Sequence, residues 1–347
     1  MAGATSESDS SLCSACEDLH LRRSDFERPP FEPEGRYCSV VLTDTLESLR
    51  TKRSSCPLCA LFYDALVRNE AEKPELLLQA ASNTKWEVQW MQSTFEYVPY
   101  GEASEDEFGS ALFPRLDIPE SHNNHGVQLV DDSQTEAFLR ARMITATIEA
   151  SRVTTWLRQC TDQHGPSCRP TVLEMPPHPS MLQNPFLVID VQRGCLKELP
   201  EGDNYVALSY VWGDNNWPRT FVANLPKHRR ADAFKSIMLP KTIADAVLFV
   251  QALNMQYLWV DSLCIVQDDP MKQTIINNMD AVYGHAYLTL VVASGANAQA
   301  GISGWSDNGP RSNTVLSKVV QPELRLGVIP FFDVEMMNSL HAQRAWT

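Results

Sequence analysis

Three apolar runs, Tyr205 to Val211 (YVALSYV), Tyr257 to Val266 (YLWVDSLCIV) and Tyr287 to Ala293 (YLTLVVA), alternate with two segments of helical period. That alternation limits the fold more than any other feature of the chain. Runs that are apolar at nearly every position suit strands buried on both faces. Between the first two, Pro240 precedes a helix over Thr242–Leu253, in which Thr242 and Asp245 stand at capping-box spacing. Ile243, Ala246, Val247, Val250 and Leu253 fall on one stripe of it. A second helix starts at Asp268 or Asp269, has Pro270 in its first turn, and carries Ile275, Ile276, Met279, Val282 and Tyr283 on its buried side. Strand, helix, strand, helix, strand with two-sided burial predicts an α/β domain with a doubly wound parallel sheet. Such sheets bind ligands beyond the carboxyl ends of their strands, here Ser209–Asp214, Asp261–Asp268 and Ser294–Asn297.

The sequence before this domain reads as α+β. Residues 1–11 form a polar tail, residues 12–185 an N-terminal region of its own fold, and residues 186–347 the C-terminal domain. A helix is expected from Pro57 to Val67, a half-exposed strand around Trp86–Met91, and mostly loop between residues 99 and 134. A further helix is expected over Thr135–Gln159, then a proline-rich linker over 165–185 and a short strand, Phe186–Val191.

With 44% hydrophobic and 21% charged residues the chain is globular in class. Its net charge of −14 repels phosphate backbones and anionic lipid heads, so neither nucleic acid nor a membrane surface is an expected partner. The longest apolar stretch, Ala246 to Val266, is broken by Gln251, Asn254, Gln256 and Asp261, and no membrane span is expected. The start, MAGATSESDSSL, lacks the basic and apolar regions of a secretory signal, which points to a cytoplasmic protein. Nine cysteines in such a setting fit reduced thiols or metal ligands better than a disulfide framework. Cys13-x-x-Cys16 and Cys56-x-x-Cys59 form two zinc knuckles able to supply four thiolates to one zinc, or else two unconnected pairs. Cys160, His164 and Cys168 offer a second ligand set, with Cys38 or Cys195 as fourth member, or else pack at a helix terminus.

Tyr205-Val206-Ala207-Leu208-Ser209-Tyr210-Val211-Trp212-Gly213, Leu239-Pro240-Lys241-Thr242-Ile243-Ala244-Asp245-Ala246 and the run Leu258 to Asp268 resemble, in order, the motifs of the fungal heterokaryon-incompatibility (HET) domain. Met279-Asp280, Tyr283 and Ala293-Ser294 fit the same pattern, and Arg344-Ala345-Trp346-Thr347 begins the family's last motif without the Gln-Glu that completes it. The resemblance therefore implies a fragment that stops inside the domain. It implies a signalling or effector module for the programmed cell death of non-self recognition, a form of fungal innate immunity. Self-association or a protein partner would trigger it. The HET fold is in turn similar to TIR domains, some of which cleave the nicotinamide–ribose bond of NAD. This gives an alternative, an NAD hydrolase with NAD as substrate; another is a zinc-containing regulatory protein.

Under the enzyme alternative a carboxylate must stabilise an oxocarbenium-like state. The resemblance assigns that role to the glutamate missing after Thr347, so residues 1–347 alone are expected to be inactive on NAD. Asp261 is the best remaining acid, either catalytic or accepting backbone amides as a structural cap. Ser209, Tyr210, Trp212 and Gly213 either line a nucleotide pocket, with Trp212 stacked on a base, or anchor the strand end. Cys264, in an apolar run, reads as a small hydrophobe.

Overall fold

The structure, a computed structural model, describes residues 11–27, 38–69, 77–78, 80–93, 109–118, 125–130, 143, 145–162, 178–182, 185–213, 217–311, 316–330, 339 and 341–342. Its strands are β1 (Cys38–Thr45), β2 (Lys85–Ser93), β3 (Gly109–Leu116), β4 (His125–Leu129), β5 (Leu187–Asp190), β6 (Cys195–Glu198), β7 (Val206–Ser209), β8 (Tyr257–Val260), β9 (Leu288–Val291), β10 (Ser317–Gln321) and β11 (Leu324–Pro330). They form two sheets in two compact units, one of residues 1–144 with 313–335 and one of residues 145–312 with 336–347. The division expected at 185/186 follows the end of the proline-rich linker, whereas these units follow packing and place residues 313–335 with the first. Among the described residues, no helix is long and apolar enough to cross a membrane.

The first unit holds a sheet of order β1-β2-β3-β4-β11-β10, antiparallel throughout. The expected helix is present as Pro57–Asn69, with proline at its first position, where the missing N–H costs nothing. Leu58, Leu61, Phe62, Ala65 and Leu66 bury its inner face in one core with Trp86 and Val88 of β2, Leu112 of β3, Val127 of β4 and Leu326 and Val328 of β11. The loop expected over 99–134 is corrected at β3 and β4. Pro114 and Gly126 disguised these strands, yet Gly126 is what lets them approach: a Cβ there would lie 2.6 Å from the Phe113 ring.

The second unit holds a sheet of order β6-β5-β8-β7-β9. The three strands read from the sequence are parallel neighbours, with β7 between β8 and β9. A wholly parallel sheet is not what forms, because β5 runs antiparallel to both β6 and β8. The turn explains the reversal. Asp190 accepts hydrogen bonds from the amides of Gln192 and Arg193 (3.1 and 3.0 Å), and Gly194 takes φ 59°, folding β6 straight back.

Two other expectations are corrected here. The run Tyr257–Val266 is a strand only to Val260; Asp261–Cys264 is one helical turn, and Val266 returns to extended backbone bridged to Thr220. The second helix is two, Lys272–Ile276 and Met279–Gly284, parted at Asn277 and Asn278. The helix expected over Thr135–Gln159 is described as Ala150–Asp162, and residues 131–142 lie outside the described residues.

The helix Lys241–Ala252 forms as expected, but Thr242 and Asp245 do not cap it. Thr242 Oγ1 accepts from the Gly301 amide (3.0 Å), and the Asp245 carboxylate accepts from the Ile302 amide (2.9 Å) and the Asn308 side chain. Both side chains hold the 301–308 loop. Asp245→Ala leaves that buried amide without its acceptor, so a stability loss of about 1–3 kcal/mol is expected, with faster amide exchange at 301–308. An unchanged melting temperature would show that the loop is held otherwise.

Candidate functional site

The carboxyl ends of β7 and β8 meet at a cavity of about 180 Å³ lined by Trp212, Arg219, Asp261, Ile265, Gln267, Lys272, Ile276 and Met279. Asp261 follows the last residue of β8 and is 7% exposed. Trp212 Nε1–H donates to both its carboxylate oxygens (3.0 and 2.9 Å), and the Ser262 amide donates to Oδ1 (2.7 Å). The Arg219 guanidinium lies 5.0 Å from the centre of the Trp212 ring, and both side chains line the cavity. The site thus combines a buried acid, an aromatic face, two cationic side chains and an apolar floor. That set can hold a ring and stabilise a positive charge developing next to it.

Of the residues read from the sequence, Asp261 and Trp212 are brought together, and Ser209 and Tyr210 are not part of the cavity lining. Ser209, at the end of β7, is buried with its Oγ 2.7 Å from His341 Nε2. The Tyr210 hydroxyl is 3.1 Å from Ser262 Oγ, and burial followed by the Asp261 charge pushes its ionisation well up. Gly213 turns the chain at φ 74°, where a Cβ would meet that of Asn297 at 2.5 Å. Cys264 is fully buried, its thiol accepts from the Val260 amide (3.3 Å), and burial pushes it up to about 12. At neutral pH it stays a thiol, in line with a packing role. Arg344 and Trp346, which open the family's last motif, lie outside the described residues, as do His164 and Cys168.

In the first unit, Cys13, Cys16, Cys56 and Cys59 converge, their four sulfurs within 4.8 Å of one another. Sγ of Cys59 is 3.7 Å from that of Cys13 and 3.6 Å from that of Cys16. Four thiolates about 2.3 Å from one zinc stand about 3.8 Å apart, so the spacing fits. Hydrogen bonds from Cys16 and Cys59, and from the Cys13 and Cys59 amides, hold Cys56 far below an ordinary thiol. Hydrogen bonding to Cys56 and Cys59, with burial, raises Cys16 in turn. A group of sulfurs in which one is readily a thiolate is the soft donor set that binds zinc.

Residues 205–347 match the family model described as heterokaryon incompatibility protein (HET). This stretch is a HET domain. No curated protein and no solved structure matches the chain. The domain's motif strands are β7, β8 and β9 of the second unit, and the matched residues also include β10 and β11, which complete the sheet of the first. Gln267 lines the cavity and stands inside the motif from Leu258 to Asp268, so a signal for it was present. Lys272 and Ile276 share a helix face at i, i+4 spacing, but nothing marked that face as open. Arg219 and His341 carried no sequence signal at all.

Trp212→Phe keeps the ring and removes the donor. The HET-domain carboxylate then loses its indole partner in a buried setting, and a loss of about 1–3 kcal/mol is expected in chemical denaturation. An unshifted midpoint would mean that this hydrogen bond contributes nothing.

Proposed function

We propose that this HET protein is a signalling or effector module of the regulated cell death that follows non-self recognition in fungi, working in the cytoplasm through self-association or a protein partner. The observation that carries the reading is the family match over residues 205–347, whose motif residues Trp212, Asp261 and Gln267 meet at one cavity. The net charge of −14 favours protein partners over nucleic acid. We read the four-thiol cluster as a structural zinc site with no part in catalysis. Forced expression of the intact protein in fungal cells tests the reading: uptake of a vital dye is expected, and viability equal to that of non-expressing cells contradicts it.

A second reading, an NAD hydrolase similar to TIR domains, is favoured by the surroundings of Asp261. A carboxylate in a cavity offers charge to an oxocarbenium-like state, Trp212 offers a face to a ring, and Arg219 and Lys272 offer cations to phosphates. At about 180 Å³ the cavity is below the usual range of roughly 300–1,000 Å³, and suits one ring better than a whole dinucleotide. Nicotinamide release from NAD by the intact protein, lost in Asp261→Asn, is the expected result under this reading. No release by the intact protein removes it and leaves the signalling reading standing.

A further inference from the structure

The sheet of the first unit has a weak seam. Between β3 and β4 the ladder contains only the pairs Ala111–Gln128 and Leu112–Val127, whereas β2 and β3 pair from Trp86–Leu116 to Ser93–Gly109. Pro114 has no N–H to give to the ladder. β4 in turn pairs along its length with β11, and β11 with β10. The backbone therefore divides the sheet into β1-β2-β3 and β4-β11-β10.

The helix Pro57–Asn69 crosses this seam, packing on β3, β4, β10 and β11. Asn69 Nδ2 donates to the Pro114 carbonyl of β3 (3.0 Å), while Asn69 Oδ1 accepts from the His125 amide of β4 (2.6 Å). This side-chain amide, 4% exposed, stands where the ladder's next rungs are missing. At the opposite end, Cys56 and Cys59 bind the helix start to Cys13 and Cys16 through the thiol cluster. The helix is fixed at one end by sulfur ligands and at the other by the seam itself.

We propose that a zinc ion held by Cys13, Cys16, Cys56 and Cys59 seats the helix Pro57–Asn69 across the β3/β4 seam, so that docking of β10 and β11, the part of the HET match that belongs to this unit, depends on the metal. The inference rests on the zinc reading above and adds what the metal controls. Zinc binding supplies folding free energy to whatever positions its ligands. Here that is the helix whose buried face, Leu58, Leu61, Phe62, Ala65 and Leu66, shares a core with Val320, Leu324, Leu326 and Val328. Loss of the metal frees the helix start and leaves the seam to its two ladder pairs, the Asn69 amide and the short helix Arg23–Glu27, which packs on β3 and β4.

The test is hydrogen exchange of the full chain, read by mass spectrometry, as isolated and after chelation, with zinc counted by elemental analysis. One zinc per chain is expected. Its removal should speed exchange in β4, β10 and β11 tenfold or more, the change that about 1.4 kcal/mol makes, and leave β7 and β8 unchanged. Restored zinc should restore protection. Asn69→Ala, which leaves all four thiols in place, should keep its zinc and still speed exchange in β4, β10 and β11. Zinc bound one to one, with β10 and β11 equally protected before and after stripping, overturns the seam dependence and leaves the metal site intact. A chain that takes up no zinc overturns the metal reading itself.

Discussion

Cys59→Ser should lose its zinc and lower the melting temperature of the unit of residues 1–144 and 313–335, with β4, β10 and β11 loosening before β1, β2 and β3. The expectation follows from magnitudes. Structural zinc contributes about 10–16 kcal/mol of apparent binding free energy at neutral pH, as much as the roughly 5–15 kcal/mol by which whole domains are stable. Cys59 Sγ stands at ligand spacing from two of its partners, 3.7 Å from Cys13 and 3.6 Å from Cys16. It also sits in the first turn of the helix, where the positive end of the backbone dipole favours a thiolate. Chelation of the unaltered protein should reproduce the effect, and acidification should release the metal as protons compete for the thiolates. Cys160→Ser, on the half-exposed helix Ala150–Asp162, is the matching control, expected within about 0.5 kcal/mol of the parent. Equal melting curves for Cys59→Ser and the parent would remove the metal from the account of stability.

Gly213→Ala carries the largest expected effect in the HET domain. Its φ of 74° costs an L side chain about 1–2 kcal/mol, and the new Cβ would stand 2.5 Å from Asn297 Cβ and 3.4 Å from its Cα. Asn297 cannot yield cheaply, because its Oδ1 accepts from the Gln299 amide (2.9 Å) and the next residue's amide donates to the Trp212 carbonyl (3.2 Å). Overpacking of this kind costs about 1–3 kcal/mol, giving a total near 2–5 kcal/mol. The strain falls on the residue next to Trp212, so the indole that holds Asp261 should move with it. Gly309→Ala is the control: a Cβ there meets nothing within 4 Å, and little change is expected. Chemical denaturation of the two variants decides the matter, and equal midpoints would contradict the packing described for the turn.

Where burial fixed the pattern, the sequence was readable. β7 and β8 lie inside their sheet and are buried throughout, and their apolar runs announced parallel neighbours; β9 is the edge strand and only partly buried, so its run overstated its burial. The strands of the first sheet were harder. β3 carries Pro114 and Arg115, β4 opens on His125-Gly126, and β10 is largely exposed, so none shows a clean period. β11 pairs with β4 across nearly two hundred residues of chain, a partnership no local pattern encodes. The two cysteine pairs were visible as pairs, but their convergence depends on how residues 17–55 fold back. At the HET-domain cavity the acid and the indole stood out because a buried carboxylate and a buried N–H must find partners. Arg219 and Lys272 did not, since a cation lining a cavity and one facing solvent look alike in a sequence. Asp261 was read as strand because its neighbours are apolar; one buried helical turn is too short to show a period.

The proposed role is tested most directly by viability of fungal cells in which the intact protein is induced, compared at equal protein level with Gly213→Ala. The intact protein should drive most induced cells to take up a vital dye, and Gly213→Ala should leave them as viable as uninduced cells. Full viability of cells that accumulate the intact, folded protein would contradict the reading of this HET domain as a cell-death module.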